Sequence, residues 1–171
     1  MMLIHESGHM LGAIFTGGQV ERLIWHPLVF SRTDVSPNPS PLIVVWAGPL
    51  FGAVAPAILA ACLSAAKAPV AYLAQFFAGF CLIANGGYIG VGTFERVGDA
   101  KDMLRLGTQP WLMVAFGVLA IVAGFWIWNR ISPKLGFGRN PKKISTVHAY
   151  AMLLVAIGFW SLAFTVGNRG E

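Results

Sequence analysis

Four long apolar runs constrain what this chain can fold into. They cover residues 41–66, 69–91, 110–131 and 147–166, and about 20 helical residues are needed to cross a hydrocarbon core ~30 Å thick. Of the 171 residues, 56% are hydrophobic and only 11% are charged, whereas roughly a quarter are charged in soluble proteins. Backbone polar groups in lipid must be bonded within their own segment, which favours helices. We therefore predict an all-α polytopic membrane protein.

A fifth apolar segment, residues 1–15, is shorter than the others. At ~1.5 Å per residue it is short for crossing the bilayer, so we interpret it as a short or truncated first membrane helix. About five membrane helices are then expected, in a single membrane-embedded domain. The stretch that follows contains two β-prone runs, residues 19–25 and 28–31, which predict a small β-hairpin after the first helix.

Basic residues are concentrated in the loop between the last two apolar runs. By the positive-inside rule this loop is cytoplasmic, so the net charge of +5 reflects membrane topology, and no nucleic-acid partner is expected. We expect a multi-pass protein of the cell membrane of a prokaryote, in contact with the lipid bilayer and of open oligomeric state. The basic residues are Arg130, Lys134, Arg139, Lys142 and Lys143.

The first apolar segment contains an HExxH motif formed by His5, Glu6 and His9. Residues four apart lie on one face of a helix, so both imidazoles can bind one metal ion while Glu6 reaches the water bound to it. An ionisable residue inside an apolar run is costly and usually functional. The motif therefore predicts a Zn²⁺ site in which Glu6 is the catalytic base.

Catalytic zinc usually takes three protein ligands plus water, so a third ligand must come from elsewhere. Two candidates, Asp99 and Asp102, are three residues apart and share one helical face. They lie in the polar stretch 86–109, which is expected to line a wet cavity or to lie at the membrane interface. His26 is interpreted as a polar tip of the hairpin and His148 as an interfacial histidine. The full set of candidates is Asp99, Asp102, Glu95, Asp34, His26 and His148.

Three segments together carry a recognisable pattern. The HExxH helix continues into a glycine-bounded turn and a short strand (5–23), WAGPLFGAVAP follows at 46–56, and Asn85 precedes GDAKDML at 98–104. This combination resembles the site-2 protease family of intramembrane zinc metalloproteases. The resemblance covers roughly residues 1–107, which it implies to be a catalytic core, and it leaves two additional membrane helices within 110–166.

The resemblance implies that Asp99 is the third zinc ligand, beside the two histidines. It also implies that Asn85 binds substrate, although an interhelical hydrogen bond is an equal interpretation of an amide in an apolar span. The chain departs from the family pattern at Ala100, where glycine is usual, and no proline follows Asn85 at the expected distance. Asp102 therefore stays open as the alternative ligand.

These residues lead us to expect an enzyme, a zinc metalloendopeptidase. It would hydrolyse a peptide bond in or near the membrane-spanning segment of a membrane-protein substrate. One alternative is a non-proteolytic zinc-binding membrane scaffold, an inactive homologue, and the intact Glu6 argues against it. A metal or proton transporter is the weaker alternative, since the last two apolar runs carry almost none of the ionisable groups that a pathway needs.

The topology can be tested with single cysteines introduced at Gly138 and Gly170. The cysteine at position 138 should react with a membrane-impermeant reagent only from the cytoplasmic side, and the one at position 170 only from outside. Labelling of both positions from the same side would mean that the last apolar run does not cross the membrane.

Overall fold

The chain is mostly helical, with one small sheet. The computed structural model describes residues 1–24, 31–138, 140, 141, 143 and 145–167. In chain order the elements are α1 (Met2–Phe15), β1 (Val20–Ile24), β2 (Arg32–Val35), α2 (Pro41–Ala65), α3 (Ala71–Glu95), α4 (Gly98–Arg105), α5 (Pro110–Ile131), a 3₁₀ turn (Ser132–Leu135) and α6 (Thr146–Gly167).

Within the described parts of the chain, α2, α3 and α5 are long and apolar enough to cross a membrane. Their bounds follow the predicted apolar runs closely, except that α3 continues to Glu95. The 14 residues of α1 reach only about 21 Å, and the described apolar part of α6, Thr146–Ser161, is also shorter than a span. Three candidate spans are therefore found, and the predicted total of about five stays a prediction.

The long helices pack around α3, which contacts α2 on one side and α5 on the other, while α1 packs against α2. Small residues allow these close approaches. A Cβ added at Gly117 of α5 would lie 2.8 Å from the carbonyl oxygen of Gly86 in α3. Membrane helices associate largely through such close packing, because lipid supplies no hydrophobic driving force between them. Gly86, Gly90 and Gly92 therefore allow close packing against α5 and α4, and the glycines after residue 85 do not end α3.

A sharp turn after α3 folds α4 back onto the bundle. Arg96 and Gly98 both have positive φ, at 54° and 53°, the left-handed region that favours glycine. A side chain at Gly98 would also collide with the hydroxyl of Tyr88. α4 then buries Ala100 and Met103 in a core cluster shared with α2, α3 and α5. This packing fixes the position of α4 over the end of α3.

The two strands form an antiparallel sheet beside α1, with Leu23 opposite Thr33. β1 confirms the predicted run 19–25. The second predicted run, 28–31, lies outside the described residues except for Ser31, which is not in a strand, and the observed β2 follows it. Thr33 and Val35 are β-branched, which suits a strand. His26 lies outside the described residues.

Replacing Gly117 with alanine should destabilise the bundle, because the added methyl group meets the backbone of Gly86. Overpacking of this kind costs about 1–3 kcal/mol. Gly158→Ala is the matched control: no atom lies within 4 Å of its added Cβ, so it should be neutral or slightly stabilising. Thermal unfolding in detergent measures both variants, and equal melting temperatures would contradict the close packing of α3 on α5.

Candidate metal centre

Three potential ligand atoms converge at one point. His5 Nε2 lies 2.8 Å and His9 Nε2 lies 3.2 Å from the same oxygen, Oδ2 of Asp99. The two Nε2 atoms are 3.1 Å apart. Both histidines are buried and Asp99 is partly buried. Of the acidic residues and histidines that the structure describes, these three form the group that could hold a metal ion.

The local fold explains why the three side chains meet. His5 and His9 are one helical turn apart on α1, so their rings share a face. Asp99 lies in the first turn of α4, and the fold of α4 back over α3 carries it to that face. Its backbone N–H donates a hydrogen bond to the hydroxyl of Tyr88, at 3.1 Å. The end of α3 thereby holds the start of α4 against α1.

The other nitrogen of each imidazole is already bonded. His9 Nδ1 lies 2.8 Å from the carbonyl oxygen of Val44, which can only accept, so His9 Nδ1 carries a proton. His5 Nδ1 lies 2.8 Å from Asn85 Oδ1, and the Asn85 amide nitrogen donates to the carbonyl of Cys81. In neutral imidazoles with this proton placement, both Nε2 atoms present lone pairs to Asp99.

The backbone of α2 closes the rear of the site. A Cβ at Gly48 would collide with the ring of His9, and a Cβ at Gly52 would lie 2.8 Å from Asn85 Oδ1. Both glycines belong to the segment 46–56 that the sequence singled out. Their absent side chains allow α2 to lie directly against the ring of His9 and against Asn85, the residue that orients His5.

The electrostatics of Asp99 favour its charged form. Burial alone would raise the pKa of this carboxyl, but its hydrogen bonds and charge interactions with His5 and His9 outweigh burial and hold the pKa well below its usual range. Asp99 is therefore ionised at neutral pH. An ionised carboxylate is the form that binds a metal ion.

The donor set fits zinc. Two imidazole nitrogens and one carboxylate oxygen are ligands that catalytic zinc sites use, with a fourth position left for water. Tetrahedral bonds of 2.0–2.1 Å separate neighbouring ligand atoms by about 3.3 Å, close to the separations found here. Two neutral imidazoles and a carboxylate place three lone pairs together without a proton between them. A bound cation, or an added proton, is needed to offset their repulsion.

Glu6 faces the same cavity as the three groups. The cavity has a volume of about 590 Å³ and is lined by α1, β2, the start of α2, α3 and α4. Glu6 is buried, and its Oε2 accepts a hydrogen bond of 2.7 Å from the hydroxyl of Thr33 in β2. The hairpin therefore orients the carboxylate of Glu6 beside the site.

The remaining candidate ligands are not brought to this point. Asp102 lines the cavity but forms an exposed ion pair with Arg105, at 3.2 Å, and Asp34 pairs with Arg32 at 3.3 Å. The other candidates are Glu95, which is exposed, His148, whose Nδ1 lies 2.9 Å from the Tyr72 hydroxyl, and His26, outside the described residues.

Asn85 is fully buried and contacts His5 rather than the cavity. The interhelical hydrogen bond is thus observed, while the contact of Asn85 with substrate stays a prediction.

Three further groups contribute to the site but have weak signals in the sequence. Tyr88 is one turn after Asn85 and could have been found from that spacing, whereas Thr33 and the Val44 carbonyl are brought in by tertiary packing alone.

Ala100 departs from the pattern without disturbing the site. It is fully buried, and a Cβ built at Gly92 of α3 would lie 3.0 Å from its methyl group. Because Gly92 of α3 has no side chain, α3 leaves space for the methyl group of Ala100, and α4 can pack closely without a glycine at position 100.

No protein-family model, no curated protein and no solved structure matches this chain. The residues and their geometry are therefore what a functional assignment has to rest on.

The metal centre can be tested by metal analysis of the protein purified in detergent without chelator. We expect about one zinc per chain, lost in His5→Ala and His9→Ala because two protein ligands hold zinc weakly. Asp99→Ala should also lose the metal, while Asp102→Ala, a matched removal of a carboxylate three residues away, should retain it. Zinc retention by Asp99→Ala with loss in Asp102→Ala would make Asp102 the ligand.

Proposed function

We propose that this chain is an intramembrane zinc metalloendopeptidase that cleaves a peptide bond in or near the membrane-spanning segment of a membrane-protein substrate. One observation carries the proposal: both Nε2 atoms and the Asp99 carboxylate converge, while Glu6 of the same HExxH motif faces the cavity beside them. A metal-binding scaffold would need the three ligands but would have no use for a buried carboxylate oriented beside them.

His5, His9 and Asp99 would hold the zinc ion. When bound there, zinc would act as a Lewis acid, which lowers the pKa of water towards 7 and polarises the scissile carbonyl. Asn85 and the Val44 carbonyl hold the two imidazole rings in the orientation that leaves Nε2 free, a role that commonly affects metal affinity by 10- to 100-fold. The protein thus prepares the ligand set through contacts outside it.

Glu6 would act as general base and then as general acid. It takes a proton from the attacking water and delivers it to the nitrogen of the leaving amine. Thr33 donates to one carboxylate oxygen of Glu6, which fixes the side chain and leaves the other oxygen for this transfer. The substrate must be locally unwound at the cleavage point, because a helical segment keeps its carbonyls in backbone hydrogen bonds.

The site lies near one end of the three candidate spans. We propose that α1 enters the membrane only part of the way and that α6 is a further span, in the multi-pass arrangement predicted from the sequence. α6 is 22 residues long, and the described large apolar side chains along it are exposed, as expected for a helix surrounded by lipid. A cell membrane of a prokaryote remains the proposed location.

Glu6→Gln separates the protease from a zinc-binding scaffold. The substitution keeps size and hydrogen-bonding shape but removes basicity, so zinc content and folding should be retained while the rate of cleavage falls by about 10²- to 10⁴-fold. The measurement is cleavage of a library of single-span substrates, with zinc content determined on the same preparations. Glu21→Gln, the same change on exposed β1, is the control and should cleave like the wild type.

Two outcomes would contradict the protease assignment. Cleavage by Glu6→Gln at the wild-type rate would show that Glu6 is not the general base. Restoration of a deletion strain by Glu6→Gln but not by His5→Ala would mean that metal binding matters and hydrolysis does not, which favours the scaffold.

A further inference from the structure

A second cavity lies at the opposite end of the bundle from the candidate metal centre. It has a volume of about 350 Å³, within the range of small-ligand sites. α2 and α5 both pack against α3 but make few direct contacts with each other, so a cleft opens between their ends. Its apolar wall consists of Ala57, Ala60 and Ala61 of α2 with Ile127 and Ile131 of α5.

Two cations line this cavity, and the described residues provide no carboxylate in its wall. Arg130 lies near the end of α5 with its guanidinium 4.6 Å from the ring centre of Trp126, which holds the charge in place. Lys134 follows in the 3₁₀ turn. Neither forms an ion pair with a described acidic residue. The cavity therefore presents positive charge that an anion could neutralise.

A buried hydrogen-bond acceptor in the same wall has no partner. Ser64 donates its proton to the carbonyl of Ala60 at 2.6 Å, so its oxygen can only accept from Gln75, whose Nε2 donates to it at 3.0 Å. This arrangement fixes which end of the Gln75 amide faces Ser64. Gln75 Oε1 is buried and unbonded among the described residues, a costly state that a ligand donor would relieve.

The depth of the cavity points to the membrane interface. Trp126 and Trp128 lie in the last turns of α5, where aromatic residues commonly mark the level of lipid headgroups, and the basic loop follows directly. An occupant that complements the cavity therefore has an anionic group, a hydrogen-bond donor such as a hydroxyl, and an apolar tail.

We propose that this cleft is a binding site for an anionic glycerophospholipid with a hydroxylated headgroup, of the phosphatidylglycerol type. Its phosphate is bound by Arg130 and Lys134, a headgroup hydroxyl donates to Gln75 Oε1, and an acyl chain lies along the alanines of α2. Basic cavities between membrane helices commonly bind anionic headgroups, and the unbonded Gln75 oxygen adds selectivity for a hydroxyl. This site is independent of the proposed hydrolysis.

The test uses the full chain in detergent, with bound lipid counted by native mass spectrometry. The probes are phosphatidylglycerol, phosphatidylethanol, which has the same charge but no headgroup hydroxyl, and phosphatidylcholine. We expect one retained phosphatidylglycerol per chain, held about fivefold more tightly than phosphatidylethanol, as one neutral hydrogen bond provides. Phosphatidylcholine should not be retained. Equal retention of all three lipids would overturn the proposal.

Matched variants locate the site. Lys134→Gln should weaken phosphatidylglycerol binding at least fivefold, whereas Lys143→Gln, which removes the same charge from the same basic loop, should not. Gln75→Leu should abolish the preference over phosphatidylethanol and leave phosphatidylethanol binding intact, which also shows that the variant is folded. If Lys134→Gln and Lys143→Gln weakened phosphatidylglycerol binding equally, the lipid would be attracted nonspecifically to a basic surface, which would contradict the proposed site. If millimolar glycerol 3-phosphate displaced bound phosphatidylglycerol as effectively as added phosphatidylglycerol does, the site would be assigned to a soluble phosphate.

Discussion

Contact between helix backbones at glycines is the constraint on which the rest of the structure depends. Lipid does not drive apolar helices together, so their association relies on close packing. Gly8 and Gly48 bring α1 against α2, and Gly86 and Gly117 bring α3 against α5. The first of these approaches places the ring of His9 directly against the backbone of α2. A bulkier residue at Gly48 would displace the ring of His9, one of the three candidate ligands.

The candidate metal centre combines this packing with a fixed pattern of hydrogen bonds. Each histidine is held through its Nδ1 by a group of another helix, the Val44 carbonyl or the Asn85 amide. Both Nε2 atoms are therefore oriented by partners that do not depend on Asp99. Charged and hydrogen-bonding groups are costly inside an apolar bundle unless satisfied, and here they satisfy one another except at the point where a cation would lie.

Sequence reasoning predicted the long helices well because a bilayer imposes a minimum apolar length on any span. It also predicted the proximity of Asp99 to the two histidines, through the resemblance, where spacing alone left Asp99 and Asp102 open. The choice between them depends on the turn at Arg96 and Gly98, which directs Asp99 inward and Asp102 towards Arg105. That turn involves a left-handed non-glycine residue, which sequence patterns rarely reveal.

The hairpin was predicted from β-prone runs, but its contact with Glu6 was not. Thr33 reaches Glu6 across 27 residues of sequence, and nothing in the local pattern of β2 marks it. The same is true of the second cavity: Gln75 and Lys134 are ordinary interfacial residues in sequence, and only the separation of α2 from α5 gives them a shared space.

The long sequence separation between His9 and Asp99 also affects the order in which the candidate metal centre is made. Asp99 follows His9 by 90 residues, and α2 and α3 lie between them. A ribosome that has released only α1 and α2 has produced both imidazoles without their carboxylate partner. The cluster of His5, His9 and Asp99 can form only after α4 has emerged and folded back onto α3, so the site is incomplete until α2 and α3 have both been made.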